Sequence, residues 1–128
     1  MTPADTAPTI TVEVRQAGVT TSKGIARTHE VSIDRPQDKG GTDQGPMGGE
    51  LLLLGLGGCF MSNLLAAIAA RNAQVADVSV TVGATLADNP KRFSSYTLEV
   101  SARCDDMPLL EKLVTIAERG CISANTLK

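Results

Sequence analysis

The sequence predicts an α+β domain with mainly antiparallel pairing, and three observations carry that prediction. Strand-like alternation of apolar and polar residues comes in adjacent pairs on both sides of one long apolar stretch. That stretch, ELLLLGLGGCFMSNLLAAIAAR from Glu50 to Arg71, holds twenty uncharged residues between two charged ends. A shorter segment of helical spacing follows the last strand pair. The expected order is β-β-α-β-β-α: one domain over residues 9–128 behind a loose Pro/Ala/Thr-rich tail at residues 1–8.

TITVEVRQ (9–16) alternates Ile10, Val12 and Val14 with polar residues and reads as a half-buried strand. AGVTTSKG is a turn region. GIARTHEVSID (24–34) puts Ile25, Val31 and Ile33 on one parity together with Arg27 and His29, which predicts a second strand. RPQDKGGTDQGPMGG (35–49) has five glycines and two prolines and reads as a flexible loop that can cross between subunits. The apolar helix follows, ending near Gln74. VSVTVGATL (78–86) and FSSYTLEVSARC (93–104) alternate cleanly on either side of the turn ADNPKR, predicting an antiparallel hairpin with Cys104 on its apolar parity and therefore in the core. In DDMPLLEKLVTIAERG, Asp106 and Pro108 mark a helix start. Leu109, Leu110, Leu113, Ile116 and Ala117 recur at helical spacing, and Gly120 suits the position just past the end. CISANTLK can form one further helical turn.

Composition narrows the function classes. A formal net charge of −2 gives no electrostatic basis for nucleic-acid binding. Three cysteines are too few for a secreted disulfide scaffold, and the N-terminal MTPADTAPTI has neither the basic nor the apolar region of a signal peptide. The expectation is a cytoplasmic protein in a reducing compartment, where a cysteine pair points to redox chemistry. His29, the only histidine, lacks the companions a metal site needs, and no glycine-rich phosphate loop of known spacing is present. No cofactor is expected.

The apolar stretch is long enough to span a bilayer. Its glycines, the central Ser62 and Asn63, and the lack of flanking Trp or Tyr argue instead for a core helix. A helix apolar all round must be covered all round, and 128 residues offer little second cover. Two copies pairing their helices solves the burial. Gly55, Gly57 and Gly58 would let backbones approach closely, each costing the helix about 1 kcal/mol relative to Ala.

Cys59 sits in that helix, directly after those glycines. A lone free cysteine is ordinarily a small buried residue. Cys121, at the head of a polar segment after Gly120, opens a second possibility: one thiolate attacks an oxidant and the other resolves the resulting sulfenic acid as a disulfide. Sixty-two residues separate the two, so the fold alone decides whether they meet.

GPMGGELLLLGLGGCFMSNLLAAIAA resembles the central helix of the OsmC/Ohr family, whose members carry a P-x-E-L-L-x-A-x-x-x-C-like segment. GCISANTL is similar to that family's second cysteine segment, commonly C-P-V-S-N-T-L. The resemblance runs from about residue 9 to 127. It implies an OsmC-like fold, antiparallel sheets around a long buried helix, in an intertwined homodimer. It further implies that Cys59 is a peroxidatic thiol and Cys121 its resolving partner, with organic hydroperoxides as substrates and a dithiol as reductant. In the peroxidase branches an arginine after the first strand and a glutamate ten residues before the first cysteine activate the thiol. Here the latter position is Gly49 and Glu50 lies nine before, while Ala17–Val19 holds no arginine, leaving Arg15 or Arg27 as substitutes. The proline usually following the second cysteine is Ile122. Two readings follow: a thiol peroxidase acting through Cys59, Cys121, Glu50 and Arg15 or Arg27, or a non-enzymatic dimer that binds a small apolar ligand or senses redox state.

Overall fold

The computed structural model describes residues 7–128; most of the expected N-terminal tail lies outside them. Two compact units divide at Glu50/Leu51, within the first turn of the long helix. The elements are β1 (Glu13–Gln16), β2 (Ser22–Ala26), β3 (His29–Ile33), α1 (Gly48–Ala70), β4 (Ala76–Ala87), β5 (Arg92–Arg103), α2 (Met107–Arg119) and α3 (Ile122–Leu127). The class is α+β with antiparallel sheets, as the residue pattern predicts.

In the first unit β1, β2 and β3 form a three-stranded antiparallel meander. The expected single strand over residues 24–34 is in fact a hairpin. Ala26 pairs with His29, and Arg27 turns the chain with φ 57°. A two-residue hairpin loop needs such left-handed backbone to match strand twist, and Arg27 adopts it without being glycine. The turn breaks the parity read from sequence: Ile25 faces Glu30, whereas Val31 faces Gly24 and lies on the other side. Val14, Gly24 and Val31 form one cross-strand row. Glu13, Arg15, Lys23 and Glu30 share the opposite face and pair there, Arg15 with Glu13 at 2.7 Å and Lys23 with Glu30 at 3.6 Å.

The loop after β3 is built around one carboxylate rather than being flexible. Asp34, 3% exposed, accepts from Thr42 Oγ1 at 2.6 Å, Thr21 Oγ1 at 2.9 Å and the backbone N–H groups of Arg35 at 2.7 Å and Gln44 at 3.2 Å. The Thr42 hydroxyl, with the other donors, holds Asp34 well below the usual carboxylate range against the opposing effect of burial. Gly41 and Gly45 have no room for a side chain: an added Cβ would fall 2.0 Å from the Arg35 carbonyl and 2.1 Å from that of Ser32.

In the second unit the β4–β5 hairpin pairs Val80 with Val100, Val82 with Leu98 and Ala84 with Tyr96. That face packs on a core of Leu56, Phe60, Leu64 and Ala67 from α1 with Leu113 and Ala117 from α2. Gly57 brings α1 close to β4, since a Cβ there would lie 2.8 Å from Val82 Cγ2. The helix ends at Ala70, earlier than the expected Gln74. Asn72 takes φ 48°, the Asn72 N–H bonds to Ala69 O, and the Ala73 N–H bonds to Ile68 O, which together close the helix end. Asp106 caps α2 as expected, its carboxylate accepting from Leu109 N at 3.0 Å.

Candidate functional site

Cys59 lies on the α1 face toward the core, one residue before the buried Phe60 and half-exposed itself. Cys121, fully buried, is the first residue after Gly120 and caps α3, its sulfur accepting from Ala124 N at 3.4 Å. Cys59 packs against the buried cluster that contains Cys121, so the fold brings the two thiol-bearing segments together across 62 residues of chain.

Their environments push the two sulfurs apart. The backbone N–H of Ser123 is the main cause lowering the Cys59 thiol below its ordinary value. Burial opposes this, while the Cys121 thiol, the Ser123 hydroxyl and the Ile122 N–H add to the lowering. Burial pushes the Cys121 thiol up, only partly offset by the Ala124 N–H, and the neighbouring Cys59 adds to the rise. A pair split this way assigns the easily formed thiolate to Cys59. On another side of α1, Leu53, Leu54, Gly57, Gly58 and Met61 line an open apolar groove of ≈ 350 Å³ with Val80 and Val82 of β4, and Cys59 is not part of its lining.

The other residues singled out by sequence have surroundings of their own. Glu50 sits in the first turn of α1, and its Oε1 accepts from the Met47 N–H at 2.9 Å, closing the helix start. Arg15 lies exposed on β1, with Nε and Nη2 both on the Glu13 carboxylate. Arg27 is the turn residue between β2 and β3 rather than a strand residue, and it is exposed. Cys104 corrects the core expectation. It falls just past the end of β5, is half-buried, and donates to the Asp106 carbonyl at 3.3 Å.

Two residues escaped the sequence reading as site members. Ser123 supplies both a backbone N–H and a hydroxyl to Cys59. Asn63, one turn beyond Cys59, donates from Nδ2 to the Ala117 carbonyl at 3.3 Å. The signal for Asn63 was visible: a carboxamide inside an otherwise apolar helix needs a partner. Ser123 carried no signal beyond its place two residues after Cys121.

Comparisons with known proteins fit this arrangement. The family described as OsmC-like protein matches residues 41–128. No curated protein matches the chain. Among solved structures, an OsmC like protein from Mycoplasma pneumoniae is 15% identical with a TM-score of 0.80, covering 94% of this chain and 87% of that one. A putative osmotic stress induced and detoxification response protein from Psychrobacter arcticus is 18% identical with a TM-score of 0.80, at 94% and 89% coverage. The organic hydroperoxide resistance protein OhrB of Bacillus subtilis is 20% identical with a TM-score of 0.64, at 94% and 90% coverage. At these identities the likeness speaks for the fold.

Proposed function

The chain belongs to the OsmC family, and from that premise we propose that it is a thiol-dependent peroxidase reducing organic hydroperoxides in oxidative-stress defence. The observation that carries the reading is the split thiol pair: a half-buried Cys59, lowered, packed against the cluster that holds the buried Cys121, raised.

In this reading the Cys59 thiolate attacks the terminal peroxide oxygen. The O–O bond breaks, the alkoxide leaves and takes a proton to become the alcohol, and Cys59 becomes a sulfenic acid. Cys121 then attacks Cys59 Sγ as its thiolate. The S–O bond breaks, the oxygen leaves as water, and a Cys59–Cys121 disulfide forms. An external dithiol reduces it by exchange, each of its sulfurs giving up a proton as its own disulfide closes. The Ser123 N–H is the main support of the thiolate, with the Ser123 hydroxyl and the Ile122 N–H adding to it.

The functional unit is a homodimer of single OsmC-like domains over residues 9–128, acting in the cytoplasm. Leu52, Leu54 and Leu65 leave an outer stripe of α1 exposed at 48%, 62% and 50%, and open space surrounds Gly55 and Gly58. By length and composition α1 could cross a membrane, but its inner stripe packs on the β4–β5 hairpin, and a second copy covers the outer one.

The test mixes reduced protein with a few equivalents of cumene hydroperoxide and follows thiol loss by stopped flow and intact mass. Rapid loss of two protons, mapped to a Cys59–Cys121 disulfide, is expected. Oxidation no faster than that of a free thiol at the same pH would overturn the peroxidase reading. It would leave the alternative, a dimer binding a small apolar ligand or sensing redox state, which the groove itself favours.

A further inference from the structure

The last turn of α2 shows an accounting that the thiol pair does not by itself explain. A helix leaves its final four carbonyls without intrahelical partners. Here those of Ile116, Glu118 and Arg119 are satisfied locally, by Gly120 N at 3.2 Å, Cys121 N at 3.2 Å and Asn125 Nδ2 at 3.1 Å. The fourth, on Ala117, is left for Asn63 Nδ2 at 3.3 Å, on α1. A Cβ on Gly120 would sit 3.4 Å from the same nitrogen, in ordinary contact, so the carboxamide lies against the end of α2. Asn63 lies four residues after Cys59, and Ala117 four before Cys121. The bond therefore joins the two segments that carry the thiols, one turn from each sulfur.

We propose that Asn63 is a positioning residue that sets the register of Cys121 against Cys59 and thereby governs disulfide closure, the second step of the function proposed above, on which this inference rests. The first step depends on that register only through the Ser123 and Ile122 donors that follow Cys121, while a hydroperoxide diffuses in and adjusts to the Cys59 sulfur. The second joins two side chains fixed on separate helices. A disulfide tolerates Cβ–Cβ separations of only about 3.5–4.5 Å. Asn63 acts through backbone placement and touches no reacting atom.

The experiment compares wild type with Asn63→Asp, which keeps the shape but loses the donor, and Asn63→Ala. Single-turnover oxidation by cumene hydroperoxide is followed in two phases, with dimedone trapping of the Cys59 sulfenic acid. The variants are expected to slow the first phase far less than the second, which should fall about tenfold or more, and to accumulate the dimedone adduct. Asn63→Ser, which keeps a small polar side chain but shortens the donor's reach, should slow the second phase as well, and it serves if the other Asn63 variants fail to fold. Second-phase rates equal to wild type, or equal slowing of both phases, would overturn the inference. Diamide closes a thiol pair without any hydroperoxide: it is reduced to the hydrazine as two thiols become a disulfide. Slower diamide closure in the variants supports the register role even if wild type ignores cumene hydroperoxide, and equal closure rates overturn it. Inert wild type toward cumene hydroperoxide would instead sink the peroxidase reading alone.

Discussion

The Asp34 loop and the Cys59–Cys121 pair use one device to opposite ends. In each, an anionic or anion-forming side chain is served by nearby donors: Arg35, Thr42, Gln44 and Thr21 for the carboxylate, and chiefly Ser123, from the segment after Cys121, for the Cys59 thiol. Asp34 is held permanently ionised, 3% exposed, with no neighbour to react with. Cys59 is only half-buried and packs against the cluster that holds a second thiol. The comparison teaches that donors alone make an anchor. Access and a second reactive group turn the same arrangement into a site.

The largest effect should separate the three cysteines. Cys59→Ser is expected to abolish hydroperoxide turnover, whereas Cys104→Ser, whose sulfur is engaged with the Asp106 carbonyl, should leave it intact. Steady-state consumption of cumene hydroperoxide with a dithiol checks both. Equal activity of wild type and Cys59→Ser would remove the thiol side of the comparison.

The next effect is on the anchor. The folded-state value of Asp34 lies below its unfolded value of about 3.9. Below that pH the unfolded chain takes up a proton that the folded chain refuses, so the stabilisation is present above it and is lost as pH falls toward the folded value. Asp34→Asn keeps one acceptor oxygen, while Thr21, Thr42 and Gln44 all converge on Oδ2 and Arg35 uses Oδ1. The variant should be less stable at neutral pH and lose less on acidification. Urea melts at several pH values test this, and parallel pH profiles would show that Asp34 is not the anchor. A smaller effect concerns the thiols themselves: Cys59 should react with a thiol reagent from a lower pH than Cys121.

What the sequence disclosed follows from where the physics is local. The alternation of Val78, Val80 and Val82 and the Asp106–Pro108 start signal depend on neighbours, and β4, β5 and α2 stand where these place them. The hairpin at Arg27 was hidden because its turn contains no Gly or Asn, and the shared parity of Ile25 and Val31 mimicked one continuous strand. Asp34 was hidden because its hydroxyl donors stand 13 residues before and 8 after it. Cys104 was read one residue too far along a strand that stops at Arg103. The meeting of Cys59 and Cys121 came from family resemblance, since no spacing rule joins positions 62 apart.

Glu50 gives the smallest and sharpest distinction. Its carboxylate accepts from the Met47 N–H at the start of α1, a capping role that needs an acceptor oxygen but no charge. Glu50→Ala should cost about 0.3–1.5 kcal/mol. Glu50→Gln keeps an acceptor oxygen and should recover most of that loss. An activator of the Cys59 thiolate would behave otherwise, because orienting a guanidinium depends on the negative charge. If Glu50 only closes the helix, Glu50→Gln oxidises Cys59 at the wild-type rate. A slower first phase with unchanged stability would make it part of the thiol site, and the Asp34 loop would then no longer be the only place in this comparison where a carboxylate's charge matters.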